Sequence, residues 1–150
     1  MNQEKVRKTF VFLILVLILV LFWRPAAQPK PTATSLSISD AKISIEIAKT
    51  TAELTRGLSG RLALAENTGL FFIFPNSGTH GIWMKEMNFP IDIIWLDENY
   101  QIVFIKENAV PESYPEVFTP STPARYVLEV PTGFVQKNKI SVGMIAKFDR

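Results

Sequence analysis

A carboxylate interrupts the most apolar part of this sequence. In the segment IDIIWLD, Asp92 falls on the same face of a predicted strand as Ile94 and Leu96. A charged group at such a position is costly unless it has a partner. Asp92 is therefore the first residue for which the sequence predicts a specific role, either structural or functional.

Three interpretations of Asp92 are open from the sequence. In the first, its carboxylate accepts backbone N–H bonds and fixes the EMNFP loop, residues 86–90. In the second, it forms an ion pair with Lys85, which is only a short loop away. In the third, Asp92 lines a ligand pocket. That pocket would also contain Arg61, Trp83 and Lys85.

Catalytic and metal-binding motifs give weaker signals. His80 is the single histidine and the chain has no cysteine, so the sequence offers no thiol nucleophile and no setting for a triad. Imidazole and thioether ligands suit copper, and His80, Met84 and Met87 are the one set of this type. Met84, however, shares an apolar face with Ile82, which is typical of core methionines. We therefore expect no metal and no cofactor.

A hydrolase-type enzyme of the cell envelope is the alternative to a binding protein. It would use Asp92 together with Arg61 or Lys85. Glycoside hydrolysis usually requires two carboxylates. Glu129 could supply the second, since in YVLEV it shares a face with Val127. No motif in the sequence identifies a reaction.

Short strands must position these side chains. KISIEIA alternates isoleucines with polar residues, which is typical of a half-buried strand, and SLSI, GLFFIF, THGIWM, IDIIWL, QIVFIKENAV, RYVLEV and SVGMIAKF also favour strands. Thr50 and Glu53 have the capping-box spacing that begins a short helix, Gly57 ends it, and TGFVQKNK favours a helical turn. The pattern predicts a mainly β fold, a small antiparallel β-sandwich or barrel-like domain with one short helix.

The N-terminal part of the chain predicts a transmembrane or signal helix before this domain. Residues 1–9 are basic, with Lys5, Arg7 and Lys8, and residues 10–23 are the apolar run FVFLILVLILVLFW. A helix of this length spans about 21 Å, less than the roughly 30 Å of a hydrocarbon core, which favours a cleaved signal. Its strong apolarity and the lack of small residues at a cleavage site favour a retained anchor.

Both readings place the rest of the chain outside the cell membrane. The basic residues keep the N-terminus inside, so the protein is predicted to be single-pass, or secreted if the signal is cleaved. Residues 24–35, rich in Pro, Ala and Thr, form a predicted linker. Residues 36–150 form the predicted extracytoplasmic β domain.

The basic charge of the chain lies outside that domain. The chain has 16 Lys and Arg and 14 Asp and Glu, of which residues 1–35 contain five and one. Residues 36–150 therefore have 11 basic and 13 acidic residues, a net charge of −2. A nucleic-acid-binding domain needs a basic face, so we expect no nucleic-acid partner. We expect a monomer whose partner is an unknown ligand or protein of the envelope.

Four segments follow one another in an order that is typical of one protein family: RGLSGR, GLFFIF, WMKEMNFPIDIIWLD and PARYVLEVPTGFVQKNKISVG. Together they resemble the domain-of-unknown-function family 192, an uncharacterised bacterial and archaeal family, over roughly residues 43–148. The resemblance implies a compact β-rich fold, often behind a signal peptide or anchor, and no established activity.

Recurrent positions of that family are matched here by Arg56, Gly57, Leu58, Arg61, Trp83, Met84, Lys85, Pro90, Asp92, Pro123, Ala124 and Tyr126. Two departures matter. Members often have Asn-Thr where this chain has Glu86-Met87, and Pro-Cys where it has Pro111-Glu112. A family role that depends on that cysteine thiol therefore does not carry over.

These observations predict a membrane-tethered, extracytoplasmic binding or accessory domain without enzymatic activity. Its ligand is not identified by the sequence. The candidate binding surface consists of Arg56, Arg61, Trp83, Lys85, Asp92 and Tyr126.

Overall fold

The fold consists of short strands with little helix. The computed structural model describes residues 34–148. Within them the strands are β1 (Thr34–Ile38), β2 (Ala41–Ala48), β3 (Thr68–Gly78), β4 (Ile82–Trp83), β5 (Ile91–Leu96), β6 (Ile102–Ala109), β7 (Val117–Phe118), β8 (Ala124–Pro131) and β9 (Ala146–Phe148). The helices are α1 (Thr51–Arg56) and α2 (Phe134–Lys137), with a 3₁₀ turn at Pro111–Ser113.

Seven of these strands form one curled sheet. Their order is β6-β5-β8-β3-β2-β1-β9, while β4 and β7 pair separately. The two edges of the sheet meet at one end, where Gln101 bridges to Ile145. There the Ile102 N–H donates to the Met144 carbonyl at 2.8 Å, and the Ala146 N–H donates to the Tyr100 carbonyl at 3.0 Å. These bonds protect part of both edges from unpaired exposure.

One strand pair departs from the antiparallel pattern. β2 and β3 are parallel, and α1 lies in the connection between them, because parallel neighbours need a crossover rather than a hairpin. The predicted mainly β class with a short helix is therefore confirmed, whereas the antiparallel pairing predicted for the sandwich or barrel-like domain is wrong for β2 and β3. A crossover cannot be distinguished from a long loop by strand periodicity alone.

Helix α1 begins and ends where its local sequence predicts. The Thr50 Oγ1 accepts from the Glu53 N–H at 3.3 Å, and the Glu53 carboxylate accepts from the Thr50 N–H at 2.8 Å. This reciprocal pair is the capping box. Gly57 follows with φ of 52°, a backbone region that residues with a Cβ rarely adopt.

The sheet is apolar on both faces, so the molecule has two cores. The inner core includes Leu36, Ile43, Phe71, Ile94 and Leu128. The outer core includes Phe72, Met84, Ile93, Trp95 and Val127. Successive residues of β3, β5 and β8 alternate between the two cores. Residues of α1, of the following loop and of the β4–β7 pair cover the outer core.

Several predictions for the N-terminus concern residues that the structure does not describe. The predicted basic segment 1–9, the predicted anchor or signal 10–23 and nearly all of the predicted linker 24–35 lie outside the described residues. β1 begins at Thr34, slightly before the predicted start of the domain at residue 36. Within residues 34–148 the helices are too short to cross a membrane.

Candidate functional site

Two carboxyl groups are buried in the described part of the chain, and they lie on opposite faces of the sheet. Asp92 on β5 is 1% exposed and Glu129 on β8 is 4% exposed. In the antiparallel β5–β8 pair Asp92 is opposite Val130, whereas Ile93 is opposite Glu129. Asp92 therefore faces the inner core and Glu129 the outer core.

Asp92 has a structural role. Its Oδ1 accepts from the backbone N–H of Asn108, and its Oδ2 accepts from the backbone N–H of Val135, each at 2.9 Å. The carboxylate thus ties the end of β6 and the start of α2 to β5. The predicted backbone bonding is present, but its partners are these two residues and not the loop at 86–90.

Lys85 does not pair with Asp92. Lys85 is exposed, and its Nζ lies 5.9 Å from the ring centroid of Trp83. Both carboxylate oxygens of Asp92 are occupied by backbone donors. The predicted ion pair is therefore absent, because buried N–H groups need an acceptor more than an exposed ammonium does.

Glu129 differs from Asp92 because one of its oxygens is unsatisfied. Its Oε2 is buried and accepts or donates no hydrogen bond in the structure. Burial raises the pKa of the Glu129 carboxyl to about 8, and the positive charge of Arg61 opposes this only in part. Glu129 is thus a neutral carboxylic acid at pH 7, which can donate a hydrogen bond as well as accept one.

Glu129 borders a small cavity between the sheet and its outer layer. This Glu129 cavity encloses about 40 Å³. Its other lining residues include Leu54, Gly57, Leu58, Phe72, Ile82 and Met87. A perturbed acid in a cavity of this kind is a candidate functional group.

A wider groove adjoins the cavity and shares part of its lining. This Trp83 groove has a volume of about 680 Å³ and is lined by residues that include Thr51, Thr55, Arg56, Ser59, Trp83 and Lys85. Thr55, Arg56, Ser59 and Trp83 also line the Glu129 cavity. The groove and the cavity therefore adjoin each other at these four residues.

Three hydrogen bonds join the two loops that form the walls of the groove. They run from the Ser59 Oγ to the Lys85 carbonyl, from the Gly60 N–H to the Glu86 carbonyl and from the Asn88 Nδ2 to the Arg61 carbonyl, each at 2.8 Å. The bonds connect segments that are far apart in sequence. They hold the loop after α1 against the loop after β4, and so fix the width of the groove.

Trp83 supplies the largest apolar surface of the groove. It is 44% exposed although it belongs to β4, and its neighbour across the indole edge, Tyr114, is 46% exposed. The two rings meet edge to face with centroids 6.2 Å apart. Such a rigid aromatic surface beside polar groups is typical of ligand-binding sites.

Arg61 stands beside the site but is already engaged. Its guanidinium forms two hydrogen bonds to the Glu46 carboxylate, at 2.9 and 2.8 Å. This hydrogen bonding lowers the pKa of Glu46 and raises that of Arg61. Arg61 therefore contributes positive charge near Glu129 rather than a free donor.

The structure brings together only part of the predicted surface. Arg56, Trp83 and Lys85 line the groove, and Arg61 stands beside it. Asp92 and Tyr126 do not face it. Tyr126 packs on the inner core, stacked on Tyr100 with centroids 4.7 Å apart, and burial raises its pKa.

The residue pairs proposed for an envelope enzyme are not formed in the structure. Asp92 is separated by the sheet from Glu129, and it meets neither Arg61 nor Lys85. Glu129 is the functional candidate that the sequence patterns gave least weight. Its only signal was a carboxylate at an alternate position of an apolar strand, the same signal that Asp92 gave.

The three residues of the copper hypothesis have other contacts. The Nε2 of His80 donates to the Asn76 carbonyl at 2.8 Å, and its ring stacks on Phe74 with centroids 3.7 Å apart. Met84 is buried in the outer core, and Met87 lines the Glu129 cavity. Among residues 34–148, no three His, Cys, Asp or Glu side chains are grouped as for a metal ion.

The fold and the site define a small β-rich domain with a curled mixed sheet and, on its outer face, a cavity lined in part by the Glu129 carboxyl. The chain belongs to domain-of-unknown-function family 192, described as "Uncharacterized ACR", which matches residues 34–148. The family resemblance seen in the sequence is thus confirmed.

Relatives with this sequence pattern occur in archaea. The chain is 32% identical over 107 residues to a UPF0127 protein of Thermococcus gammatolerans, covering 70% of this chain and 66% of the relative. It is 29% identical over 86 residues to a UPF0127 protein of Pyrococcus furiosus, covering 54% and 68%. The chain thus spans about two thirds of the length of each relative.

Solved structures share the fold. A crystal structure from Sinorhizobium meliloti 1021, of a candidate transcription regulator, has a TM-score of 0.76 and 25% identity, and covers 81% of this chain and 98% of its own. A protein of unknown function from Novosphingobium aromaticivorans has a TM-score of 0.71 and 24% identity, with coverage of 81% and 94%. Chains that consist almost wholly of this domain therefore fold on their own.

Proposed function

We propose that this protein is an extracytoplasmic binding domain, tethered to the membrane by residues 10–23, that binds its ligand in the Trp83 groove without converting it. The ligand is a small molecule or a terminal group of an envelope polymer. A small ligand requires a concave surface with few, well-placed polar groups. The Trp83 groove and the Glu129 cavity together have this form.

The exposure of Trp83 is the observation that carries the proposal. Trp83 is 44% exposed, whereas Trp95, the other described tryptophan, is fully buried, and its Nε1 donates to the His80 carbonyl at 2.8 Å. An indole left partly in water beside Arg56 and Lys85 provides apolar contact area next to charge. Residues of this type dominate binding energy at recognition sites.

Binding accounts for the site better than hydrolysis does. A glycosidase-type mechanism uses two carboxyl groups on either side of the bond that is cleaved. Asp92, which the sequence offered for one of them, is on the far face of the sheet from Glu129. A DNA-binding role is not favoured either, since residues 36–150 carry a net charge of −2.

We expect residues 24–150 to lie outside the cytoplasm. The basic residues Lys5, Arg7 and Lys8 hold the N-terminus inside, and the apolar run then directs the following chain outward. A periplasmic-type phosphatase fused after Arg150 should be active, and a cytoplasmic reporter at the same position should be inactive. Replacing residues 10–23 by a polar linker is the matched control, and it should reverse both readings.

We expect Trp83→Ala to weaken ligand binding by at least tenfold. Loss of a central indole typically costs about 2 kcal/mol or more at a recognition site. The ¹⁵N-labelled domain, residues 31–150, can be titrated with soluble envelope fragments, namely oligosaccharides, muropeptides and short peptides. A ligand should shift the resonances of groove residues in the parent and much less in the variant.

Leu62→Ala is the matched control for this titration, because Leu62 is an apolar residue that is 90% exposed and does not line the groove. It should bind like the parent. Shifts confined to another face, equal binding by Trp83→Ala, or no shift with any of these fragments would contradict the proposal.

A further inference from the structure

We propose that the Glu129 cavity receives the acetyl group of an N-acetylated sugar, with the Glu129 carboxyl donating a hydrogen bond to the acetyl carbonyl oxygen. The inference rests on the proposed function, because the sugar ring would occupy the adjoining Trp83 groove. It adds the chemical class of the ligand and a specific role for Glu129.

The size of the cavity matches a very small group. A cavity needs at least roughly 10–15 Å³ to hold one water molecule, so its 40 Å³ admits a small substituent. The carbonyl carbon, carbonyl oxygen and methyl of an acetyl group are three non-hydrogen atoms. The groove, with about 680 Å³, offers far more room for a sugar ring than the cavity does.

The lining of the cavity matches the two ends of an acetyl group. Phe72, Ile82 and Met87 supply apolar contacts for a methyl group. Glu129 supplies a polar atom, Oε2, which is buried and has no partner. A buried polar atom without a partner is costly and calls for an explanation. A ligand carbonyl oxygen that accepts a hydrogen bond from the protonated carboxyl would satisfy it.

Gly57 keeps the space above the Glu129 carboxyl open. A Cβ at position 57 would lie 3.3 Å from the Phe72 Cζ and 3.9 Å from the Glu129 Oε2. The glycine ends α1 with φ of 52°, so the requirement of the helix end and the open space coincide at one residue.

Trp83 offers a flat surface for the sugar ring. The C–H groups on one face of a pyranose pack against an aromatic ring, while the hydroxyl groups remain available to polar neighbours. Trp83 lines both the groove and the cavity. A ring that stacks on it can therefore direct a substituent toward Glu129.

The charges around Glu129 favour a neutral ligand group over a cation. The positive charge of Arg61, which is paired with Glu46, lowers the pKa of Glu129 in part. Arg56 of α1 lines the cavity. On the two neighbouring strands, the residues opposite Glu129 are apolar: Ile93 of β5 and Leu70 of β3. One strand further, Lys106 of β6 is opposite Ile93 and adds a positive charge. The groove is lined by Arg56 and Lys85 against one acid, Glu86, so an ammonium group would meet net repulsion there.

The carboxyl is protonated at neutral pH and so has the donor that a carbonyl oxygen needs. Burial raises its pKa to about 8. The hydrogen bond to a carbonyl is consequently available below that pH and is lost above it. A cation that keeps its charge over this range would show the opposite dependence, because it requires the ionised carboxylate.

The test compares two trisaccharides on residues 31–150 by calorimetry or NMR at pH 6.5. One is the N-acetylglucosamine trimer, and the other is the glucosamine trimer, which has the same rings with free ammonium groups. The acetylated trimer should bind at least tenfold more tightly. Glu129→Gln should retain its affinity within about threefold, because the amide can still donate, whereas Glu129→Leu should lose at least tenfold.

The pH profile gives a readout that a structural role of Glu129 would not produce. The acetylated trimer does not itself titrate, and its affinity for the parent should fall as pH rises from 7 to 9. The Glu129→Gln variant, which folds without a buried charge, should show a flat profile.

The outcomes separate this inference from the proposed function. Equal binding of both trimers with no pH dependence, or binding of neither, would overturn the acetyl inference, while the Trp83→Ala titration with other fragments still decides the groove. Tighter binding of the glucosamine trimer than of the acetylated trimer at pH 6.5 would assign a cation site instead. Unchanged affinity in both Glu129 variants would remove Glu129 from the site.

Discussion

Asp92→Ala should lower the free energy of unfolding by about 4 kcal/mol. The substitution removes two hydrogen bonds to a charged acceptor, each typically worth about 1.5–3 kcal/mol. It also leaves the N–H groups of Asn108 and Val135 without an acceptor. Asp92→Asn keeps one acceptor oxygen but turns an NH₂ group toward the other N–H, so it should cost about 2–3 kcal/mol. Urea denaturation of residues 31–150 measures both.

Lys85→Met provides the matched control for Asp92. Since Lys85 is exposed and contacts Trp83 rather than Asp92, its replacement should change stability by less than about 0.5 kcal/mol. The double variant should equal the sum of the two single effects, as for residues without shared partners. Recovery of stability when Lys85→Met is added to Asp92→Asn would show that the two residues interact after all.

Between pH 4.5 and pH 8 the burial of Glu129 should cost the parent about 5 kcal/mol of unfolding free energy as pH rises. Glu129→Gln should abolish this loss. The folded state has a Glu129 pKa of about 8, against 4.5 for an unburied glutamate. Between these values the folded protein holds a proton that the unfolded chain has released, so stability falls as pH rises and levels off above 8. A difference of about 3.5 pH units, at about 1.4 kcal/mol for each, yields the expected size.

The measurement is the difference in unfolding free energy between parent and variant from pH 4 to pH 9. Other groups titrate in both proteins, Glu46 with the opposite sign because its pKa is lowered, and they cancel in the difference. The parent should lose stability relative to Glu129→Gln as pH rises. A difference that does not vary with pH would show that Glu129 is ionised in the folded protein, and the hydrogen bond proposed for the acetyl carbonyl would then have no donor.

Asp92 and Glu129 are both buried but differ in their hydrogen bonds, and this difference separates a structural role from a functional one. Asp92 is satisfied by two backbone donors and holds distant segments together. Glu129 is equally buried, lacks a partner for one oxygen and borders a cavity. Unsatisfied buried groups lower stability and are concentrated at functional sites. This contrast is why we place the site at Glu129 rather than at Asp92.

The sequence by itself determined the local features of this protein. The alternation of KISIEIA and the apolar runs of β3, β5 and β8 predicted strands, because side chains of a strand alternate between its two faces. Thr50, Glu53 and Gly57 defined α1 through hydrogen bonds and a backbone conformation that involve only neighbouring residues. The cost of burying Asp92 also predicted that it must accept bonds.

Only the tertiary structure decided which groups meet. The acceptors of Asp92 serve N–H groups 16 and 43 residues away, and the walls of the groove join residues 26 and 27 positions apart. The parallel β2–β3 crossover places α1 over the outer face, where its residues line the Glu129 cavity. Periodicity and capping are local properties of a chain, whereas desolvation depends on every segment that packs around a group. The same carboxylate pattern therefore became a structural tie in β5 and a candidate ligand site in β8.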